Sequence, residues 1–273
     1  MQTISLRDHL HFSAREDGDV SLSCSDKEIP LDDGNLIIRA ANALRERFDV
    51  TDGATIHLEK VIPAKGGLGG ASSNAAVALL GLARIWDLQL SLNELMEVGA
   101  RLGADVPFFF IGGCALATGT GTEIKALADS DQKHLIIISP KATVATARAY
   151  EALKAPALTT SSEASILSIS CAQVDLELSH LCVLHNDFED VIFTSEPEIR
   201  RAKEALLDVG ARSSLLAGSG SSVFGIFESK EEQKRAVREM QAEIGWRVFS
   251  TVTVSRNEYL QALGSSGSPL VSL

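Results

Sequence analysis

The 273 residues contain no run of basic side chains: 25 Lys and Arg stand against 36 Asp and Glu, a formal net charge of −11. That balance argues against a nucleic-acid footprint, because duplex affinity comes from cationic side chains that displace counterions along the phosphates. Nowhere do apolar residues continue for the roughly 18 positions that a bilayer-spanning helix needs. The opening MQTISLRDHLHF has neither a basic leader nor an unbroken apolar stretch, so a cytoplasmic location is expected. Cys24, Cys114, Cys171 and Cys182 are scattered without a CxxC pair; in a chain of this size they are expected to be reduced, mostly buried thiols. The six histidines, His9, His11, His57, His134, His180 and His185, show no HxxxH or HExxH spacing, which argues against a built-in zinc site.

What is present is ample core material, 45% hydrophobic with 22% charged, in a length that fits one large domain or two ordinary ones. Ile4, Leu6, Leu10 and Phe12 share one parity, and Val20 to Cys24 alternates again after Asp17, Gly18 and Asp19, which predicts two paired strands. Apolar residues at three and four spacing from Leu36 to Phe48 predict a helix. A strand over Ala54 to Ile62, a helix from about Ser72 to Trp86, and a helix opened by the Ser91/Glu94 capping box follow. Short strands flank Gly119, Thr120 and Gly121, and Leu135 to Ser139 is a wholly apolar strand. Beyond an Ala/Ser/Thr-rich stretch, Ala155 to Ser170, read as linker or insertion, helices at Pro197–Val209 and Lys230–Glu243 alternate with strands at 213–217, 222–228 and 246–254. The pattern predicts an α+β fold with helices on a sheet face. The closing GSSGSPLVSL is predicted to be a flexible tail.

The most informative stretch is PAKGGLGGASSNAA, Pro63 to Ala76, where a strand runs through Gly66, Gly67, Leu68, Gly69 and Gly70 into a helix mouth carrying Ser72, Ser73 and Asn74. Glycines remove the Cβ atoms that keep a ligand off the backbone and let successive N–H groups turn to one side. The first amides of the helix and the positive end of its dipole face the same space. Phosphate is the natural occupant, against the bland alternative of a tight connection whose glycines serve packing. A P-loop is excluded because no Gly-Lys precedes Ser or Thr, and a dinucleotide fingerprint starting at Gly67 fails at Ser72. In LGADVPFFF, Asp105 stands beside an apolar run and could take a hydroxyl proton or orient a cation, or could be a simple turn or cap residue. AGSGSSVF, Ala217 to Phe224, is a second glycine/serine turn that could approach the phosphate loop or be a plain hairpin.

Together these segments resemble the GHMP kinase superfamily and, within it, the 4-diphosphocytidyl-2-C-methyl-D-erythritol kinase family of the non-mevalonate route to isoprenoids. GNLIIRAANAL from Gly34, GADVPFF from Gly103, ATGTGTEI from Ala117, HNDFE from His185 and AGSGSSVFGIF from Ala217 add to the loop. The resemblance implies a two-domain α+β fold. An N-terminal domain like ribosomal protein S5 domain 2 would span 1–142, a ferredoxin-like C-terminal domain 143–262, and a tail 263–273. It implies transfer of the γ-phosphoryl of ATP, accompanied by Mg2+, to the 2-hydroxyl of the cytidyl-erythritol substrate, in a monomer or homodimer. ATP would be held by Pro63, Ala64, Lys65, Gly66, Gly67, Leu68, Gly69, Gly70, Ala71, Ser72 and Ser73. Asn35 and Lys60 would lie by the nucleotide, and Asp105 would be the catalytic carboxylate; no magnesium ligand is assigned.

Members of that family open with a KLN-like motif whose lysine partners the catalytic aspartate. The first lysine here is Lys27, and MQTI resembles the strand that follows that opening. The resemblance therefore implies an N-terminal strand outside these residues, an exposed sheet edge, and diminished activity in this exact chain. A nucleotide-binding protein without kinase activity, or a GHMP kinase for another small alcohol, are the alternative functions.

Overall fold

In the computed structural model, residues 1–142, 144, 149–151, 153 and 185–264 are described. The elements are β1 (His9–Arg15), β2 (Val20–Cys24), α1 (Leu36–Phe48), β3 (Gly53–Glu59), α2 (Gly70–Ile85), α3 (Leu92–Leu102), α4 (Phe108–Ile111), β4 (Ala115–Thr118), β5 (Glu123–Ala126) and β6 (His134–Pro140). After Pro140 come α5 (Phe188–Ser195), α6 (Pro197–Asp208), β7 (Ser213–Leu216), β8 (Val223–Phe227), α7 (Lys230–Met240), β9 (Trp246–Val252) and α8 (Arg256–Leu263). Two compact units result: Met1–Ala64 and Gly69–Gln132 with the described residues from Val252 onward, and Lys65–Leu68 with the described residues of Lys133–Thr251. The boundary read from sequence at 142/143 thus falls inside the second unit, and residues 252–262 pack with the first.

In the first unit the expected pairing of β1 with β2 gives way to the order β1-β3-β2, with β3 antiparallel to β1 and parallel to β2. The turn at Asp17 to Asp19 therefore does not close a hairpin. Its role is to hold the head of β3, where Ala54 N donates to Asp19 O at 2.9 Å. β1 lies at one edge of this sheet. Helix α1 begins because the Asn35 side chain accepts from Ile37 N, and it ends at Asp49, which takes a left-handed φ of 53°. Its buried face, Ile37, Ala40, Ala41 and Leu44, meets the small residues Ala75, Ala76 and Ala78 and the leucines Leu79 and Leu82 of α2 in one core. Alanine at these contacts lets helix backbones approach closely while hydrophobic area is still removed from water.

The capping box at α3 forms as expected: Ser91 Oγ accepts from Glu94 N, and the Glu94 carboxylate accepts from Ser91 N at 2.8 Å. Replacing Ser91 with Ala is expected to lower by about 1 kcal/mol the opening free energy that amide hydrogen exchange reads along α3. A second capping box, Ser255 with Glu258, opens α8. Tyr259 on that helix donates its hydroxyl to Phe109 O at 2.8 Å, and burial pushes its phenol well above the ordinary range. Residues Met1–Ser5 run between two distant segments of the same unit. Thr3 N donates to Gly113 O and Val254 N donates to Thr3 O, both at 3.0 Å.

The second unit is built on a four-stranded sheet in the order β7-β8-β6-β9, with β8 antiparallel to β7 and β6. Ile136 and Ile138 of β6, Val223 and Phe227 of β8, and Ile199, Ala202 and Leu206 of α6 form its core. Gln233 of α7, buried, satisfies its amide by donating to Leu135 O and Thr251 O at 2.6 and 2.8 Å. Helices α4, α5 and α8 were not expected from the sequence. Cys24 and Cys114 are free thiols, half-buried rather than fully buried. Cys171 and Cys182, the 155–170 linker reading and residues 265–273 of the tail reading lie outside the described residues. Among the described residues no helix is long and apolar enough to cross a membrane.

Candidate active site

The glycine-rich loop leaves β3 at Glu59 and enters α2 at Gly70, two residues earlier than the serines suggest. Along it φ alternates in sign: Lys65 at 56°, Gly67 at 72° and Gly69 at 68° are left-handed, whereas Gly66 and Leu68 are not. Alternation of this kind turns consecutive N–H groups toward one side, the backbone geometry of an anion nest. Two carbonyls of the loop are occupied from behind. Lys65 O accepts from Ser221 N at 3.4 Å and Gly66 O accepts from Ser222 N at 3.1 Å, both from the β7–β8 turn. In a trans peptide the N–H points opposite to the C=O, so these bonds direct the amides of Gly66 and Gly67 away from that turn. Among the described residues, the amides from Gly66 to Ser72 donate to no protein acceptor. A buried amide without a partner is costly; these amides remain available to a ligand.

The AGSGSS turn therefore does approach the loop, and the fit is tight. A Cβ on Gly67 would lie 1.9 Å from Ala217 O and 2.9 Å from Gly220 O. Two residues of the HNDFE segment hold the turn. Asn186 donates to Leu216 O and Gly218 O at 2.9 and 2.8 Å, and Glu189 accepts from Leu216 N at 2.9 Å while pairing with Lys203 at 2.6 Å. Neither role was visible in the sequence beyond the motif itself.

At the mouth of α2, Ser73 Oγ donates to Gly70 O at 2.9 Å, which leaves its oxygen lone pairs to accept or coordinate. Ser72 Oγ comes within 3.9 Å of the Cβ position of Gly103, so the loop that carries Asp105 borders the helix mouth. That loop turns through Val106 N to Gly103 O at 3.1 Å and runs into α4 through Pro107. Asp105 is open to solvent and, among the described residues, its carboxylate has no hydrogen-bond or ion-pair partner. Although the residue as a whole is exposed, desolvation of its carboxyl by the surrounding loop raises the pKa above the ordinary carboxylate range.

A carboxyl whose pKa rises on folding binds its proton more tightly in the native state, so its contribution is most favourable at low pH. Stability is lost as pH climbs from 3.8 through the raised value. Asp105→Asn is therefore expected to melt above the wild type at pH 7, with the difference shrinking as the pH drops below that window. Melting curves recorded across pH check this.

Asn35 and Lys60 both have internal partners. Asn35 caps α1 and donates to Pro30 O at 2.8 Å. Lys60, 7% exposed, pairs with Asp8 at 2.9 Å and donates to Ile62 O. Asp8 was not singled out in the sequence. A signal was there: it sits on the inward parity, between Leu6 and Leu10, where a charge requires a partner.

The fold and this site define a GHMP-type small-molecule kinase. The family model for the GHMP kinases N terminal domain matches residues 35–113, and that for the GHMP kinases C terminal domain matches 172–244. A 4-diphosphocytidyl-2-C-methyl-D-erythritol kinase of Citrifermentans bemidjiense is 37% identical over 255 residues, covering 93% of this chain and 89% of the relative. One from Chlorobium phaeobacteroides is 39% identical over 250 residues, covering 91% and 83%. A crystal structure of 4-(cytidine 5'-diphospho)-2C-methyl-D-erythritol kinase superposes with a TM-score of 0.73 at 29% identity, over 92% of this chain and 87% of that one. A homoserine kinase from Cytophaga hutchinsonii, 19% identical with a TM-score of 0.71, shares the fold. The chain belongs to the 4-diphosphocytidyl-2-C-methyl-D-erythritol kinase family.

Proposed function

We propose that the chain transfers the γ-phosphoryl group of ATP to the 2-hydroxyl of 4-diphosphocytidyl-2-C-methyl-D-erythritol, giving ADP and the 2-phosphate for isoprenoid synthesis. The observation that carries this reading is the row of amides from Gly66 to Ser72 without protein acceptors, leading into the α2 dipole. Polyphosphate oxygens would accept from these amides, which are already oriented and lose little freedom on binding. Asp105 would accept the proton that the attacking hydroxyl gives up as its oxygen bonds to the γ-phosphorus and the bond to the β-phosphate oxygen breaks. A pKa raised by desolvation suits that task, because the carboxylate then takes the proton more readily.

Among the described residues, no group of three or more His, Cys, Asp or Glu side chains is placed to hold a metal. The hydroxyls of Ser72 and Ser73, at the helix mouth, fit a cation that arrives on the nucleotide. Magnesium bound in this way supplies neutralisation of phosphate charge. The rest of the chemistry is positioning by the loop and α2, with proton acceptance at Asp105.

The test is an assay of purified chain with Mg-ATP and the cytidyl-erythritol substrate, following ADP and the phosphorylated product together. Stoichiometric appearance of both is expected. ADP release that ignores this acceptor, but follows homoserine or mevalonate, would exclude the cytidyl substrate as the acceptor.

A further inference from the structure

The Asp8 carboxylate is 1% exposed and accepts four hydrogen bonds: from Val61 N at 2.7 Å, Ile62 N at 2.8 Å, Asn74 Nδ2 at 2.8 Å and Lys60 Nζ at 2.9 Å. Three of these donors lie where the chain leaves β3 for the glycine-rich loop. The fourth is on α2, where the chain has come out of it. Asn74 is itself buried at 5% exposure. Lys60 reaches further toward the helix, its ammonium 3.6 Å from the Cβ position of Gly70. A carboxylate in this position costs desolvation, which its four donors offset.

We propose that Asp8 is a positioning residue for phosphate binding: one buried carboxylate clamps the entry and the exit of the loop at a fixed separation and parks the Lys60 ammonium beneath the first turn of α2. The argument is geometric. The direction of the loop amides depends on where the chain enters at Ile62 and where it leaves at Gly70, as well as on the bonds from Ser221 and Ser222. Asp8 is bonded to residues at both ends. With Asp8 in place the Lys60 ammonium is held against the carboxylate and Ile62 O, so that its position under the helix start is fixed. The inference rests on the kinase reading, since it assigns Asp8 to the holding of ATP.

Asp8→Asn tests it with little change of shape. The introduced amide keeps one oxygen for the Val61 and Ile62 N–H groups, but turns a donor toward Lys60 and Asn74, which are donors themselves. Calorimetric titration with Mg-ATP is expected to give a Kd raised on the order of 10- to 100-fold, the scale on which misplacing positioned groups acts. The KM for ATP should rise with it while the KM for the cytidyl substrate stays put. The exchange Asp8→Asn with Asn74→Asp returns a carboxylate to the cluster from the helix side and is expected to recover most of the affinity.

A merely architectural role predicts a different pattern: a lower melting temperature and a smaller active fraction, with the Kd per folded molecule unchanged. That pattern in Asp8→Asn would overturn the proposal. If Asp8→Asn does not fold, Asn74→Ala, which cuts only the tie to α2, decides in its place: a raised Kd supports the clamp and an unaltered one refutes it. Wild-type protein that fails to bind Mg-ATP at all would instead overturn the kinase reading.

Discussion

Asp105→Asn is expected to abolish turnover while leaving nucleotide binding intact, with kcat down by on the order of 10²–10⁴. The side chain keeps its shape and loses only its capacity to take a proton. Because the wild-type carboxylate has no partner among the described residues, the substitution breaks no existing bond in the protein. Catalysis and stability should then move in opposite directions at pH 7, the variant melting higher and turning over far more slowly. That combination identifies a group kept in an unfavourable environment for its chemistry. Measuring ADP release, the Kd for Mg-ATP and melting on the same sample separates the effects; turnover near the wild-type rate would remove Asp105 from the reaction.

Gly67→Ala is expected to be the most damaging single methyl in the loop. The residue has a φ of 72°, and its added Cβ would meet backbone atoms of the β7–β8 turn, Ala217 O at 1.9 Å, instead of the yielding end of a side chain. Left-handed strain of about 1–2 kcal/mol adds to overpacking of about 1–3 kcal/mol, so a loss of roughly 2–5 kcal/mol is expected. The protein can escape by letting the loop part from the turn. It would then lose the bonds from Ser221 and Ser222 that fix the carbonyls of Lys65 and Gly66. In either case the amides lose their common direction and Mg-ATP binding should fall below detection. Melting and nucleotide titration report the two outcomes separately, and wild-type affinity in this variant would refute the nest.

Local features were legible in the sequence. The periodicity of α1, the Ser91 cap and the apolar strand β6 each depend on neighbours a few positions away, and each was found where expected. The loop was legible for the same reason, as its glycines and hydroxyls are consecutive. Non-local relations were not. The pairing of β1 with β2 looks natural across a short turn, yet β3, about thirty residues on, intervenes and pairs with β1 along one edge and β2 along the other. The α8 helix carries the same Ser-x-x-Glu signature as α3, but in a short segment with few apolar residues to mark a buried face. Asp8 shows the limit best. Its parity gave its burial away, but its partners lie more than fifty positions on, at Lys60, Val61, Ile62 and Asn74, and no local pattern names them.

The short opening segment that lies between residues 113–115 and 252–254 has a consequence for biosynthesis. In chain order residues 252–254 follow this segment by some 250 positions, so one of its two flanking partners is made long after it. Nascent chains must wait with Met1–Ser5 half-paired and the site for Tyr259 on Phe109 vacant, while the intervening unit can already close on itself. Translation stopped before Val252 would thus release a product that lacks α8 and has an unfinished seam, the kind of species that chaperones hold and proteases clear.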